Sequence, residues 1–275
     1  MLASLIVVFR ETIEAGLIIG IVLAATRGVA TRNLWVSGGI AAGVLGACVL
    51  AMFASSISGA LEGMGQEMLN VSVLCLAVTM LIWHIVWMAR HGREMAAQMK
   101  SIGAEVVAGS RSLLALAVVV GIAVLREGSE TVLFLYGIAA SGNSEASTML
   151  VGGALGLMGG VVIAAMLYWG LLKIPVRYFF QATSWLIALL AAGMASQAVF
   201  FLQQAQVVTA GAQTAWDSSG LVADSSILGQ VLHALMGYTA QPSVMQLAVY
   251  GGVLVLIYLL QRQFGSAAPT KVAHS

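Results

Sequence analysis

Arg10-Glu11-Thr12-Ile13-Glu14 and Arg126-Glu127-Gly128-Ser129-Glu130 repeat one arrangement of charge, Arg-Glu-x-x-Glu. Residues three or four apart share a helix face, so Glu11 with Glu14, and Glu127 with Glu130, can face one ion together. Arg10 precedes Glu14 by four residues, as Arg126 precedes Glu130, so each guanidinium can neutralise a carboxylate when no ion is bound. Four carboxylates and two guanidiniums leave about two negative charges if all are ionised, a balance that a divalent or trivalent cation offsets and that repels an anion. Carboxylate oxygens favour Mg, Ca, Mn and iron over soft Cu(I), and ligand type does not choose among those hard ions. The plainer alternative, an interhelical lock made by each Arg-Glu pair, leaves the second glutamate of each copy unexplained.

The elements that must position these charges are membrane helices. Of 275 residues, 60% are hydrophobic and only 8% charged, against about 25% charged in an average soluble domain. The chain therefore reads as an all-α integral membrane protein, with lipid as its main solvent. A formal net charge of +1 and the lack of a long basic run exclude nucleic acid as a partner. At about 20 apolar residues per crossing, seven transmembrane helices are expected near 2–25, 35–57, 69–89, 112–140, 147–171, 179–203 and 244–261. Arg10 interrupts the place where a signal peptide's apolar core would lie, so the first span is expected to be retained. The fourth stretch is longer than a bilayer needs, which predicts tilt or a local break near Gly121 or Gly128.

Charge distribution orients these spans. Arg27, Arg32, Arg90, Arg93, Lys100, Arg111, Lys173, Arg177, Arg262 and Lys271 all fall on one side, whereas Glu62, Glu67, Glu145, Asp217 and Asp224 fall on the other. Basic residues mark the inner face, so the N-terminus is expected outside and the C-terminus inside. The two motif helices then run in opposite directions. Gly39 and Gly43 in the second helix correspond to Gly152 and Gly156 in the fifth, with Gly160 beyond them, as small faces that let helices approach closely. The expected architecture is a 3+3 inverted repeat plus one extra helix: a single permease domain over 1–265, with repeats near 1–90 and 112–203, the extra helix at 244–261 and a cytoplasmic tail at 266–275.

Other polar residues are weaker candidates. Glu62, Glu67, Asp217 and Asp224 could gather cations at the outer mouth, although exposed acids are more often only solvated. His84, between Trp83 and Trp87, could be a ligand or proton carrier on the ion path; satisfaction by a backbone carbonyl or water is the favoured reading. Cys48 and Cys75 read as small buried apolar residues. The stretch from Arg90 to Arg111 reads as a basic, partly helical inner loop. Residues 204–241 form a long outer connection with a helix-like pattern from Ser226 to Gly237, suited to capping the entrance.

With both motifs on opposed membrane helices, the sequence resembles the oxidase-dependent iron permease family, which includes the fungal high-affinity and bacterial iron permeases. The family's usual motif is Arg-Glu-Gly-Leu-Glu; Thr12 replaces its glycine in the first copy and Ser129 its leucine in the second, while every charged position is kept. Trp83 with Trp87-Met88-Ala89-Arg90, Leu167-Tyr168-Trp169-Gly170, Thr183-Ser184, Ala191-Ala192-Gly193, and Gly237-Tyr238 before Pro242-Ser243 extend the resemblance to the bacterial branch. His84 stands where that branch leads one to expect an apolar residue. The resemblance implies iron import as Fe(II) or Fe(III) across the cytoplasmic (inner) membrane, with Glu11, Glu14, Glu127 and Glu130 as metal ligands and Arg10 and Arg126 balancing charge. Iron would be the transported substrate, no bound organic cofactor is expected, and the partners would be membrane lipid and a periplasmic iron-binding or oxidase/peroxidase protein. The rivals are a carrier of another hard divalent cation such as Mn or Mg, and a non-transport membrane subunit of a redox complex. No paired haem histidines and no His-Glu-x-x-His support the latter, so the expectation is a transporter and not an enzyme.

Overall fold

A computed structural model describes residues 1–60, 66–141, 146–170 and 176–265. Eight helices follow one another among these residues: α1 (Leu2–Ala25), α2 (Arg32–Ala60), α3 (Gln66–Val107), α4 (Leu114–Ala140), α5 (Ala146–Tyr168), α6 (Val176–Gln204), α7 (Ile227–Met236) and α8 (Val244–Gly265). The described residues contain no strand, only an isolated bridge between Thr214 and Ser243. Glu62 and the expected tail at 266–275 lie outside the described residues.

Five helices, α2, α3, α5, α6 and α8, hold stretches long and apolar enough to cross a membrane. The stretches are Arg32–Phe53, Glu67–Met88, Ala146–Tyr168, Thr183–Gln204 and Val244–Gln263. α1 and α4 are also long, but any 18 consecutive residues of either include all three motif charges, which sets them apart by composition. They fill the middle of the bundle. Glu14 of α1 meets His84 of α3 and Ala25 meets Gly103, so α1 and α3 run parallel. Ala77 of α3 meets Gly137 of α4 and His84 meets Glu130, so α3 and α4 run antiparallel. The motif helices α1 and α4 consequently point in opposite directions.

Glycines seat each motif helix on a neighbour. Gly39, Gly43 and Ala47 of α2 meet Ala117, Gly121 and Gly128 of α4; Gly152, Gly156 and Gly160 of α5 meet Met1, Leu5 and Thr12 of α1. One constant offset relates the motif-helix members of these pairs (117 − 1, 121 − 5 and 128 − 12 all equal 116), the spacing of Arg126 from Arg10. A Cβ at Gly43 would stand 2.7 Å from the Gly121 carbonyl oxygen, and one at Gly156 would stand 2.5 Å from that of Leu5. Backbone cannot yield as a flexible side chain does. Gly43→Val and Gly156→Val are each expected to cost roughly 3 kcal/mol, read as a lower thermal midpoint of the purified protein. Gly38→Val, which meets nothing within 4 Å, should leave it nearly unchanged.

Three expectations are adjusted. Of the tilt or break expected near Gly121 or Gly128, the break does not occur: α4 is continuous from Leu114 to Ala140, and both glycines pack against α2. The apolar span expected at 69–89 is matched by Glu67–Met88, but α3 itself runs on through Val107, about 63 Å at a 1.5 Å rise per residue, so the basic segment expected to be partly helical is mostly helix. Cys48 and Cys75 are exposed on the bundle surface, which an apolar thiol tolerates when that surface faces lipid.

Two apolar clusters bracket the motif charges along both helices. Val7, Leu81, Phe134 and Ile138 belong to one, while Val22, Val120 and Val124 belong to the other. Beyond the first cluster, the long connection between α6 and α8 folds back over the end of the bundle that carries Met1. Ser226 caps α7 by accepting a hydrogen bond from the Gly229 amide (3.0 Å), and Gly237 ends it at φ 68°. The Gly237 backbone lies directly against Gly193 of α6. The Tyr238 hydroxyl donates to the Val222 carbonyl (3.0 Å) and pairs with Ser218 Oγ (2.6 Å), tying the connection together.

Candidate metal centre

Both copies of the motif converge on α3. Arg10, Glu11, Glu14, His84 and Glu127 are each no more than 3% exposed. The Arg10 guanidinium donates to Glu11 Oε1 at 2.9 Å and approaches Glu14 Oε1 at 2.7 Å, while Arg126 Nε donates to Glu130 Oε1 at 3.0 Å. Both i,i+4 ion pairs that the spacing predicts are therefore formed. The copies nevertheless differ. The Arg10 side chain is 1% exposed and enclosed by two carboxylates, whereas that of Arg126 is 28% exposed and stacks 3.9 Å from the Trp87 ring centroid.

His84 joins the copies. Its Nε2 lies 3.5 Å from Glu14 Oε2, its Nδ1 contacts Glu130 Oε2, and Phe134 presents an edge to its ring. Carboxylates, not a backbone carbonyl, thus face both ring nitrogens of this imidazole. One ligand atom each from Glu11, Glu14 and His84 lie within 4.8 Å of one another, and so do one each from Glu11, Glu127 and Glu130. Glu11 belongs to both groups. Its Oε2 and that of Glu127 are buried and accept no hydrogen bond, a costly condition for a carboxylate that a cation would relieve.

The hydroxyls beside these groups donate to the helix backbone. Thr12 Oγ1 donates to the Val8 carbonyl (2.6 Å), Ser129 Oγ to that of Arg126 (2.7 Å) and Thr131 Oγ1 to that of Glu127 (2.9 Å). Their protons are thus committed to the helix backbone, and the carboxylates and the imidazole remain the charged or strongly basic groups at the centre.

The other candidate acids among the described residues lie elsewhere. Glu67 is exposed in the first turn of α3. Asp217 accepts hydrogen bonds from Ser219 and Gln241, which hold its carboxyl below the usual aspartate range and fasten the connection. Asp224 accepts from the Ala240 amide at 2.8 Å and lines a cavity of about 920 Å³ with His233, Gln230 and Gln241. Met1, Leu2 and Ala3 border the same cavity, placing it over the start of α1. Sequence reasoning did not foresee the pairing of His84 with both motifs, nor the stacking of Trp87 on Arg126. Their three-residue spacing on α3 was the available signal, since it places both on one helix face.

Residues 1–266 match the iron permease FTR1 family. The chain is 30% identical over 266 residues to the ferrous iron permease EfeU of Escherichia coli O6:H1, covering 94% of this chain and 93% of the relative. The ferrous iron permease EfeU of Shigella sonnei is 29% identical over 276 residues, covering 98% and 97%, and that of Yersinia pestis 28% over 277 residues, with the same coverage. No solved structure matches the chain.

Proposed function

From the premise that the chain belongs to the iron permease FTR1 family, and is a multi-pass inner-membrane transporter rather than an enzyme, we propose that it imports ferrous iron through the buried centre between α1, α3 and α4. The observation that carries this reading is the convergence of four glutamates from two opposed helices, with unsatisfied buried oxygens on Glu11 and Glu127. Ferrous iron is favoured because EfeU relatives are named for it and because carboxylate with imidazole suits Fe(II). Arg10 and Arg126 hold the glutamates while the centre awaits its ion.

Seven spans, α1 to α6 and α8, place the N-terminus outside and the C-terminus inside, according to the segregation of basic residues. The constant offset between the two sets of helix contacts supports α1–α3 and α4–α6 as inverted repeats within one permease domain. The apolar clusters on either side of the charges are then the gates, opened alternately as one repeat shifts against the other. The folded connection carrying α7 covers the outer entrance, and its cavity is where a periplasmic iron-binding or oxidase/peroxidase partner would deliver the ion.

Purified protein in liposomes tests the reading. Saturable uptake of Fe(II) under anaerobic conditions, undiminished by tenfold excess Mg²⁺ (roughly the competition that hard-oxygen sites alone would not resist), is the expected result. Uptake of Mg²⁺ or Mn²⁺ with no uptake of iron would replace iron as the substrate.

A further inference from the structure

We propose that the centre comprises two unlike cation positions sharing Glu11, and that His84 Nε2 is a metal ligand at the first, selecting a transition-metal ion over magnesium or calcium. The proposal rests on the transport reading and deepens it by assigning the source of metal selectivity. Glu11, Glu14 and His84 form the first position, containing nitrogen; Glu11, Glu127 and Glu130 form the second, containing oxygen alone. A histidine ligand ordinarily hands its other ring nitrogen to a carboxylate, which fixes the tautomer and aims the coordinating nitrogen. His84 is placed in that way: Nδ1 meets Glu130 while Nε2 points to Glu14. The imidazole is 2% exposed, and Phe134 packs against its ring, so water does not compete for it.

The chemistry of the two positions differs in consequence. Imidazole suits Fe²⁺ or Zn²⁺ and is accepted by Mn²⁺ beside carboxylates, whereas Mg²⁺ and Ca²⁺ prefer oxygen and gain little from a nitrogen. An ion leaving the first position for the second keeps Glu11 and exchanges Glu14 and His84 for Glu127 and Glu130. The shared carboxylate spares it complete desolvation between the two.

The test uses full-length protein in lipid nanodiscs with Mn²⁺ as a paramagnetic probe. Wild type is expected to show nitrogen hyperfine coupling to bound Mn²⁺ in pulsed electron paramagnetic resonance. His84→Ala should lose the coupling, bind Mn²⁺ about tenfold more weakly and become displaceable by excess Mg²⁺. His84→Gln keeps a similar volume and a hydrogen bond for Glu130 but offers the metal no imidazole, so it should also lose both coupling and discrimination while remaining folded. Absence of nitrogen coupling in wild type, whether because oxygen alone holds Mn²⁺ or because none binds, overturns the assignment. So does retention of Mg²⁺ discrimination in His84→Gln. Failure of the transport reading is separately visible as wild-type protein that carries no Fe(II) into liposomes, whatever the resonance spectrum shows.

Discussion

Glu11→Ala is expected to lower iron uptake by more than about 100-fold, beyond the loss that follows from disturbing a metal site's outer shell, and to exceed the effect of alanine at Glu14, Glu127 or Glu130. The reason is geometric. Glu11 supplies an oxygen to both groups of converging ligands, whereas each of the others supplies one group. Its Oε1 is held by Arg10 while Oε2 is buried with no hydrogen-bond partner, so one oxygen is retained by the protein and the other is available to an ion. Initial rates of ⁵⁵Fe uptake, normalised to folded protein in the membrane, measure this. Undiminished uptake by Glu11→Ala would remove the carboxylate centre from the transport path.

Arg10→Ala has the second large effect, on stability. Arg10 pairs with Glu11 and Glu14 at 1% exposure, so its removal strands two buried carboxylates. Breaking a buried ion pair from one side costs about 3–5 kcal/mol. Arg126→Ala is expected to cost less, about 2 kcal/mol, the scale of one charge-assisted hydrogen bond, because that guanidinium pairs closely with Glu130 alone and is only partly enclosed, with its other face on Trp87. The thermal midpoints of the purified variants, compared with wild type, measure the contrast. Arg10→Lys should recover only part of the loss, since a compact ammonium cannot reach two carboxylates with the fixed fork of a guanidinium. Equal destabilisation by the two alanine variants would contradict the unequal burial of the copies.

The ion pairs within each motif were legible because i,i+4 spacing on a helix leaves little freedom, and Arg10–Glu14 and Arg126–Glu130 both form. The small faces at Gly39–Gly43 and Gly152–Gly156 were equally legible as contact surfaces, but nothing in their spacing names the helices they meet. The break considered at Gly121 or Gly128 does not occur: glycine weakens an isolated helix, whereas here the lost side chain is what admits α2. α3 outruns its apolar span for a different reason. Hydropathy falls after Met88, yet Glu94-Met95-Ala96-Ala97-Gln98-Met99-Lys100 is a run of strong helix formers that carries the helix onward. His84 was visible in the sequence as a candidate on the ion path, but its pairing with both motifs was not, because its partners lie on two distant segments. The connection around α7 announced its cap at Ser226, but its hydrogen bonds join residues about 20 apart and depend on tertiary folding.

Anomalous diffraction at the iron edge from crystals of the full chain loaded anaerobically with Fe(II) tests the central claim most directly. The expected result is an iron peak within coordination distance of Glu11 and shared with Glu14 and His84, with Glu127 and Glu130, or with both sets. Iron found only at Asp217, Asp224 or other surface acids, with Glu11 and Glu127 still paired only to protein, would contradict a transport centre built from the two motifs.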